Sequence, residues 1–257
     1  MRVPLPAAFL TTPLAHRGYF NPAARRPENA VGAFRAAVAA GYGIELDVQL
    51  SADGQAMVFH DDQLARLTAE TGPLMAHTAA GLGRIKLCDS DETIPTLPQV
   101  LALVAGRVPL LIEIKDPSGM LGPTSGRLEQ ATATALADYK GPVAVMSFNP
   151  SCVIWMARLA PGIPRGLTTE YFDPKGWFPI PPATCDRMRD IPDYDATLSS
   201  FISHRFTDLA CPRVAALQAR GAAILCWTIR SPTDEAIARK VAQNITFEGY
   251  PAAFPSA

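Results

Sequence analysis

Eight short segments with strand features, most of which alternate with stretches of helical character, constrain the fold of this chain more than any other pattern in it. They read AHR, IELDV, LLIEI, VAVMS, RGLTT, ATLSS, ILCWT and ITFE. Strands that alternate with helices form parallel sheets through right-handed crossovers. Eight such units in 257 residues match the size of a closed barrel. The sequence therefore predicts an α/β fold, a single (β/α)8 TIM-type barrel domain over residues 1–257.

A doubly wound open sheet is the alternative architecture, and it is disfavoured because no glycine-rich phosphate loop follows the first strand. Within the barrel we expect a helix over residues 30–42, with Asn29 as N-cap and Gly41 as C-terminal cap. Residues 62–95, with scattered glycines and an acidic run, are predicted to form an irregular insertion over the barrel mouth. Residues 171–193, rich in proline and aromatic residues, are predicted to be a long loop.

The dipeptide Asp53-Gly54 lies between the segments IELDVQL and QAMVFHD, and this pattern predicts a hairpin. A two-residue turn at this dipeptide gives the cross-strand pairs 52/55, 50/57 and 48/59. Asp47 then lies opposite His60, and Glu45, two residues earlier on the same strand, points to the same face. We therefore expect two carboxylates and one histidine on one surface.

In a barrel of this kind the catalytic residues lie at the carboxyl ends of the strands. Glu45, Asp47 and Glu113 end apolar segments and are predicted to converge without a basic partner beside each. Their mutual repulsion then requires either protonation or a cation. Because oxygen ligands suit hard cations, the sequence predicts a site for Mg²⁺ or Ca²⁺.

Histidines and basic residues accompany these carboxylates. Arg17 and Lys115 would place positive charge beside the cation, as an anionic substrate such as a phosphate ester requires. His16 and His60 suit a general acid and a general base. His204 lies outside this set and is interpreted as an ordinary core or surface histidine.

Two further residues and one segment have two interpretations each. Glu28 belongs either to the substrate pocket or to a Pro-Glu-Asn helix start, and Trp227 either lines the pocket or packs in the core. The aromatic segment 171–182 fits a lid over the substrate or a contact in a homo-oligomer.

The composition disfavours several classes of protein. The net charge of −1 and the isoelectric point near 6.4 argue against a nucleic-acid-binding protein. No stretch approaches about eighteen apolar residues, so no membrane span is expected. The first residues run directly into the first strand and are not expected to be a signal peptide. The five cysteines lack metal-binding spacing and fit reduced thiols, or at most one disulfide, so a cytoplasmic protein is expected.

The motifs HRG, PEN, ELDVQ, a DG hairpin into FHD, IEIK, SFNP and WTI follow one another from about residue 14 to residue 251. In this order they resemble the glycerophosphodiester phosphodiesterase family. The resemblance implies a TIM-type barrel with a small insertion after FHD, and a substrate pocket that includes Phe148 of SFNP. It also implies a role for each matching residue: a metal site at Glu45, Asp47 and Glu113, catalytic histidines at His16 and His60, and phosphate contacts at Arg17 and Lys115.

The reaction implied by the resemblance is metal-dependent hydrolysis of a small-molecule glycerophosphodiester to sn-glycerol 3-phosphate and an alcohol. One alternative is a phosphodiesterase that uses the same site on other lipid-derived or sugar phosphodiesters. Another is a catalytically idle barrel that acts as a binding module, against which the intact set of site residues argues. The chain departs from the family pattern at YFNPAARR, PENA and FEGYP, and none of these departures is expected to affect the metal or acid–base positions.

Overall fold

The strands of the computed structural model, which describes residues 1–255, form a closed barrel. They are β1 (Leu14–Ala15), β2 (Gly43–Leu50), β3 (Ala56–Val58), β4 (Leu110–Ile114), β5 (Val143–Ser147), β6 (Arg165–Thr169), β7 (Phe201–Arg205), β8 (Ala223–Ile229) and β9 (Asn244–Phe247). The sheet runs in the order β1-β9-β8-β7-β6-β5-β4-β2, and β1 also pairs with β2, so eight parallel strands close into a ring. β3 pairs antiparallel with β2 outside that ring. The predicted TIM-type barrel is confirmed.

Helices alternate with most of the strands along the chain, and the first helix precedes β1. They are α1 (Ala8–Thr11), α2 (Val31–Ala40), α3 (Ala79–Leu82), α4 (Leu97–Val104), α5 (Arg127–Leu136), α6 (Pro150–Leu159), α7 (Pro182–Arg189), α8 (Pro212–Ala219) and α9 (Pro232–Ala238). Gly41 adopts a left-handed conformation with φ 76° and ends α2, as predicted. Within residues 1–255, no helix has both the length and the apolar character that a membrane crossing needs.

Alternate residues of each barrel strand face the lumen and the helix layer. Phe9 from α1 joins a buried lumen cluster with Leu111 and Phe201, whereas Ile112 and its equivalents pack in the larger core beneath the helices. Gly166 lies directly against Phe201, and a Cβ at that position would come within 2.4 Å of the phenyl ring. Apolar packing therefore fills the lumen below the carboxyl ends of the strands.

The predicted hairpin forms, but its register is shifted by one residue. Val48 pairs with Val58, and Asp47 lies opposite Phe59, whose backbone N–H donates to the Asp47 carbonyl at 3.1 Å. The cause is the hydroxyl of Ser51, which donates to Asp53 and accepts the backbone N–H of Gln55. These bonds close a three-residue loop instead of the two-residue turn.

The predictions for two later segments are wrong. The ATLSS segment turns instead of forming a strand, because the Thr197 hydroxyl donates to the carbonyl of Asp193 and Leu198 is left-handed at φ 55°. The strand of this unit is β7, five residues further on. Residues 171–193 contain α7, which begins at Pro182, a residue well suited to the first turn of a helix.

Residues 62–95 have little regular structure, as predicted, and contain short helical turns and α3. Their apolar side chains share a separate buried cluster with residues of the hairpin, among them Met57, Phe59, Leu64, Leu74 and Ile94. This cluster fastens the segment to the hairpin that carries His60.

Candidate active site

Three carboxylates lie at the carboxyl ends of neighbouring strands. Glu45 and Asp47 belong to β2, Glu113 belongs to β4, and the register aligns Asp47 with Glu113. All three side chains are buried, and they offer oxygens that lie within 4.8 Å of one another. The parallel pairing of two apolar strands thus brings together residues that are far apart in sequence.

The expectation that these carboxylates lack basic partners is wrong for two of them. The ammonium of Lys115 lies 2.7 Å from Asp47 Oδ1 and 2.6 Å from Glu113 Oε1. Although burial acts in the opposite direction, Lys115 holds the pKa of Asp47 well below its usual range, and the two carboxylates raise the pKa of Lys115. Because Lys115 lies two residues after Glu113, its reach back to Asp47 depends on the β2–β4 register.

Glu45 is in a different electrostatic state. Burial and the charges of Asp47 and Glu113 raise its pKa well above the usual value. Its Oε2 accepts the backbone N–H of Arg17 at 3.0 Å. Three carboxylate oxygens at this spacing fit the ligand set of Mg²⁺ or Ca²⁺, and such a cation would relieve the repulsion from Asp47 and Glu113 that contributes to this raised pKa.

The guanidinium of Arg17 lies beside this set. It donates to Glu28 at 2.7 Å, and its Nε lies 3.6 Å from Asp47 Oδ2. This Nε is buried and has no hydrogen-bond partner among residues 1–255. Arg66 from the 62–95 segment also contacts Glu28, at 2.7 Å.

Each candidate catalytic histidine has a carboxylate on its Nδ1. His16 is 2.5 Å from Glu248, which lies just beyond β9, and Arg230 donates to the other oxygen of Glu248 at 2.7 Å. Burial lowers the pKa of His16. Glu248 belongs to the FEGYP departure, so the expectation that no departure affects an acid–base position is wrong. Glu248 was not predicted from the sequence, because only barrel closure brings it to His16.

His60 has the second arrangement of this kind. Its Nδ1 lies 2.6 Å from Asp61 Oδ1, and Arg66 donates to Asp61 Oδ2 at 2.5 Å. Asp61 is adjacent to His60 in the FHDD segment, so a sequence signal for it existed.

Asn29 is not the N-cap of α2, since Ala30 takes that position. Its backbone is left-handed at φ 55°, and its buried side chain donates to Asp47 Oδ2 at 2.9 Å. A side chain engaged with Asp47 is not available to cap the helix. Asn29 is therefore a further residue that orients the acidic set.

A cavity of about 170 Å³ opens between these side chains. Phe148 and Trp227 border it, with ring centroids 5.5 Å apart, and Trp227 donates its indole N–H to the Ser203 carbonyl. Glu28 is not among the lining residues and instead pairs with Arg17 and Arg66. The predicted residues that line the cavity are His16, Arg17, Glu45, Asp47, His60, Glu113, Lys115, Phe148 and Trp227.

The fold and the site define a class of protein, namely TIM barrels that carry a cluster of carboxylates at the carboxyl ends of the strands, with two histidines beside it that each contact a carboxylate. A model of the glycerophosphoryl diester phosphodiesterase family matches residues 16–246, and the chain belongs to this family.

Curated relatives agree with this assignment. A glycerophosphodiester phosphodiesterase of Caldanaerobacter subterraneus is 33% identical over 169 residues, which cover 61% of this chain and 66% of that protein. The glycerophosphodiester phosphodiesterase of Bacillus altitudinis is 40% identical over 113 residues, covering 41% of this chain and 45% of that protein. The matched part of this chain thus spans less than two thirds of these relatives.

Solved structures share the fold over almost the whole chain. The phosphodiesterase of Oleispira antarctica superposes with a TM-score of 0.75 at 24% identity, covering 93% of this chain and 94% of that one. A putative glycerophosphoryl diester phosphodiesterase from Silicibacter pomeroyi has a TM-score of 0.74 at 22% identity, with coverage of 94% and 93%.

Proposed function

We propose that this protein hydrolyses glycerophosphodiesters to sn-glycerol 3-phosphate and an alcohol in a metal-dependent reaction. The observation that carries this proposal is the convergence of two histidines, three carboxylates and two basic side chains on one cavity at the strand ends. Family membership supports the substrate class. The O. antarctica phosphodiesterase was solved in complex with sn-glycerol-3-phosphate as its product.

Glu45, Asp47 and Glu113 would hold the cation, Mg²⁺ or Ca²⁺. When bound, the cation stabilises the negative charge of the phosphate. The close spacing of the three buried carboxylates supports this assignment, because a cation relieves the repulsion that, together with burial, raises the pKa of Glu45.

Arg17 and Lys115 bind the phosphate in this proposal. The buried Nε of Arg17 has no other partner in the described part of the chain, and it faces Asp47 at the cavity. Lys115 uses two contacts on carboxylates, whereas an ammonium has three donors, so one donor remains for a phosphate oxygen.

His16 and His60 exchange protons with the substrate. Since Glu248 and Asp61 occupy the Nδ1 atoms, the Nε2 atoms remain for the reaction. One histidine protonates the leaving alkoxide, and the other takes a proton from water or from a neighbouring substrate hydroxyl. Phe148 and Trp227 supply an apolar wall for the alcohol.

We also assign residues 62–95 to a cover over the barrel mouth. The contacts of Arg66 with Glu28 and Asp61 support this placement. The five free thiols support a reducing compartment, the cytoplasm, as the site of action.

The test is release of glycerol 3-phosphate from glycerophosphocholine, with and without a chelator. Glu45→Gln, Asp47→Asn and Glu113→Gln should each weaken metal binding and lose most of the activity. Asp91→Asn, which changes a carboxylate in an exposed ion pair with Lys86, is the matched control and should remain active. Full activity after exhaustive chelation would contradict the metal requirement. Absence of glycerol 3-phosphate with metal added would contradict the activity itself.

A further inference from the structure

A second cluster of ligating side chains lies on the outer face of β7, away from the lumen. Phe201 packs in the lumen cluster and Ile202 in the outer core. His204, two residues after Ile202, therefore faces the helix layer. Its side chain is only 1% exposed, and it lies beneath the loop that leads from β7 to α8.

Two residues of that loop approach the imidazole. His204 Nε2 lies 3.2 Å from Asp208 Oδ2 and 4.0 Å from Cys211 Sγ. On the other side of the ring, Nδ1 lies 2.8 Å from the hydroxyl of Thr169 on β6. One donor atom from each of His204, Asp208 and Cys211 lies within 4.8 Å of the others.

We propose that His204, Asp208 and Cys211 bind one Zn²⁺ ion at a site separate from the active-site carboxylates. Imidazole, carboxylate and thiolate are the ligands that zinc takes in proteins. With bonds of about 2.0–2.3 Å around a tetrahedral ion, neighbouring ligand atoms lie roughly 3.3–3.6 Å apart. The 3.2 Å and 4.0 Å distances to Nε2 bracket this spacing.

The surroundings of His204 match those of a metal ligand. His204 Nδ1 is within hydrogen-bond distance of the Thr169 hydroxyl. With a metal ion on Nε2, the proton would lie on Nδ1 and donate to this hydroxyl, which would fix the orientation of the ring. Asp208 and Cys211 are partly exposed, which gives an ion a path from solvent. The thiolate and imidazole select a borderline-soft cation, in contrast to the all-oxygen active-site set. A bound ion would fasten the loop before α8 to the barrel wall.

Cobalt titration tests this proposal, because a thiolate bound to Co²⁺ gives a near-ultraviolet charge-transfer band that the active-site carboxylates cannot produce. Metal-stripped protein should develop this band at one ion per chain, and added Zn²⁺ should abolish it. Cys211→Ser should lack the band, whereas Cys88→Ser, which removes an exposed thiol elsewhere, should keep it. No band in the unaltered protein, or the same band in Cys211→Ser, would overturn the site.

Two further variants keep the test decisive if Cys211→Ser is poorly folded. Asp208→Asn changes one partly exposed atom and should weaken Co²⁺ binding measured by the same band. Thr169→Val removes the hydroxyl behind His204 at nearly constant volume and should weaken binding about ten- to hundredfold. Unchanged affinity in both variants would overturn the assignment of Asp208 and His204 as ligands.

Discussion

The two candidate catalytic histidines each pair with a carboxylate, but in different surroundings. The carboxylate on His16 comes from Glu248, 232 residues away, whereas the carboxylate on His60 comes from the adjacent Asp61. The side chain of His16 is 14% exposed and that of His60 is 31% exposed. The contact between His16 and Glu248 therefore depends on closure of the barrel, whereas the contact between His60 and Asp61 depends on local chain geometry.

The two histidine–carboxylate pairs also differ in the arginine that contacts the carboxylate. Behind Glu248 is Arg230, whose side chain is 65% exposed. Behind Asp61 is Arg66, which also binds Glu28, and Glu28 in turn binds Arg17. His60 is thus coupled through ion pairs to the proposed phosphate-binding arginine, while the support of His16 ends at the surface.

Removal of either imidazole should have the largest effect. His16→Ala and His60→Ala should each lower kcat on glycerophosphocholine about 10²–10⁴-fold, because an alkoxide leaving group needs an acid and the attack needs a base. The nitrophenolate leaving group of a nitrophenyl phosphodiester departs without protonation. The variant that lacks the general acid should therefore largely recover its activity on this substrate. Steady-state rates on both substrates decide this, and recovery of neither variant would contradict the division of roles.

Neutralising the supporting carboxylates should have the next largest effect. Glu248→Gln and Asp61→Asn each remove a charge-assisted bond worth about 1.5–3 kcal/mol and should lower kcat roughly ten- to hundredfold. Asp61→Asn also loosens Arg66 and should therefore raise KM, whereas Glu248→Gln should leave KM nearly unchanged. Equal KM values in the two variants would remove the asymmetry inferred from the ion pairs.

The arginines behind the carboxylates should differ as well. Arg66→Ala frees both Asp61 and Glu28 and should lower kcat/KM about tenfold. Arg230→Ala breaks a largely exposed pair and should lower it by less than about threefold, in line with the small worth of surface ion pairs. A greater effect of Arg230→Ala would contradict the inference that His60 is coupled more strongly than His16 to its surrounding ion pairs.

The smallest effect concerns stability in acid. Although burial raises it, the hydrogen bond with His16 lowers the pKa of Glu248 to about 2 from 4.5. A depressed carboxyl pKa stabilises the folded state above the unfolded pKa, and this contribution is lost as pH falls from about 4.5 toward 2. Urea unfolding of Glu248→Gln across this range should show a flatter pH profile than the unaltered protein, and parallel profiles would argue against a charged Glu248.

The sequence was informative wherever an apolar run ended in a polar residue. The convergence of Glu45, Asp47 and Glu113 followed from strand periodicity, and Lys115 and Arg17 were placed at the right end of the barrel. The partners of these groups were not predictable in the same way. The reach of Lys115 to Asp47 depends on inter-strand register, which periodicity alone does not fix.

Local polar chemistry caused the remaining errors. The Ser51 hydroxyl changed the hairpin register, and the Thr197 hydroxyl turned a segment whose composition suited a strand. Asparagine is a common N-cap residue, yet the side chain of Asn29 donates a hydrogen bond to the buried Asp47 instead. In each case side-chain hydrogen bonds, each worth about 0.5–3 kcal/mol, favoured the observed backbone conformation over the predicted one.

The packed lumen beneath the candidate active site has a consequence for substrate entry and product release. Phe201 and Leu111, with Phe9 from α1, fill the barrel on the side opposite to the mouth. In the proposed reaction, substrate would therefore enter, and both products would leave, at the carboxyl ends of the strands. Bound product would block the binding of the next substrate molecule, so inhibition by glycerol 3-phosphate should be competitive. Turnover should then depend on the rate at which product dissociates past the segments at the barrel mouth.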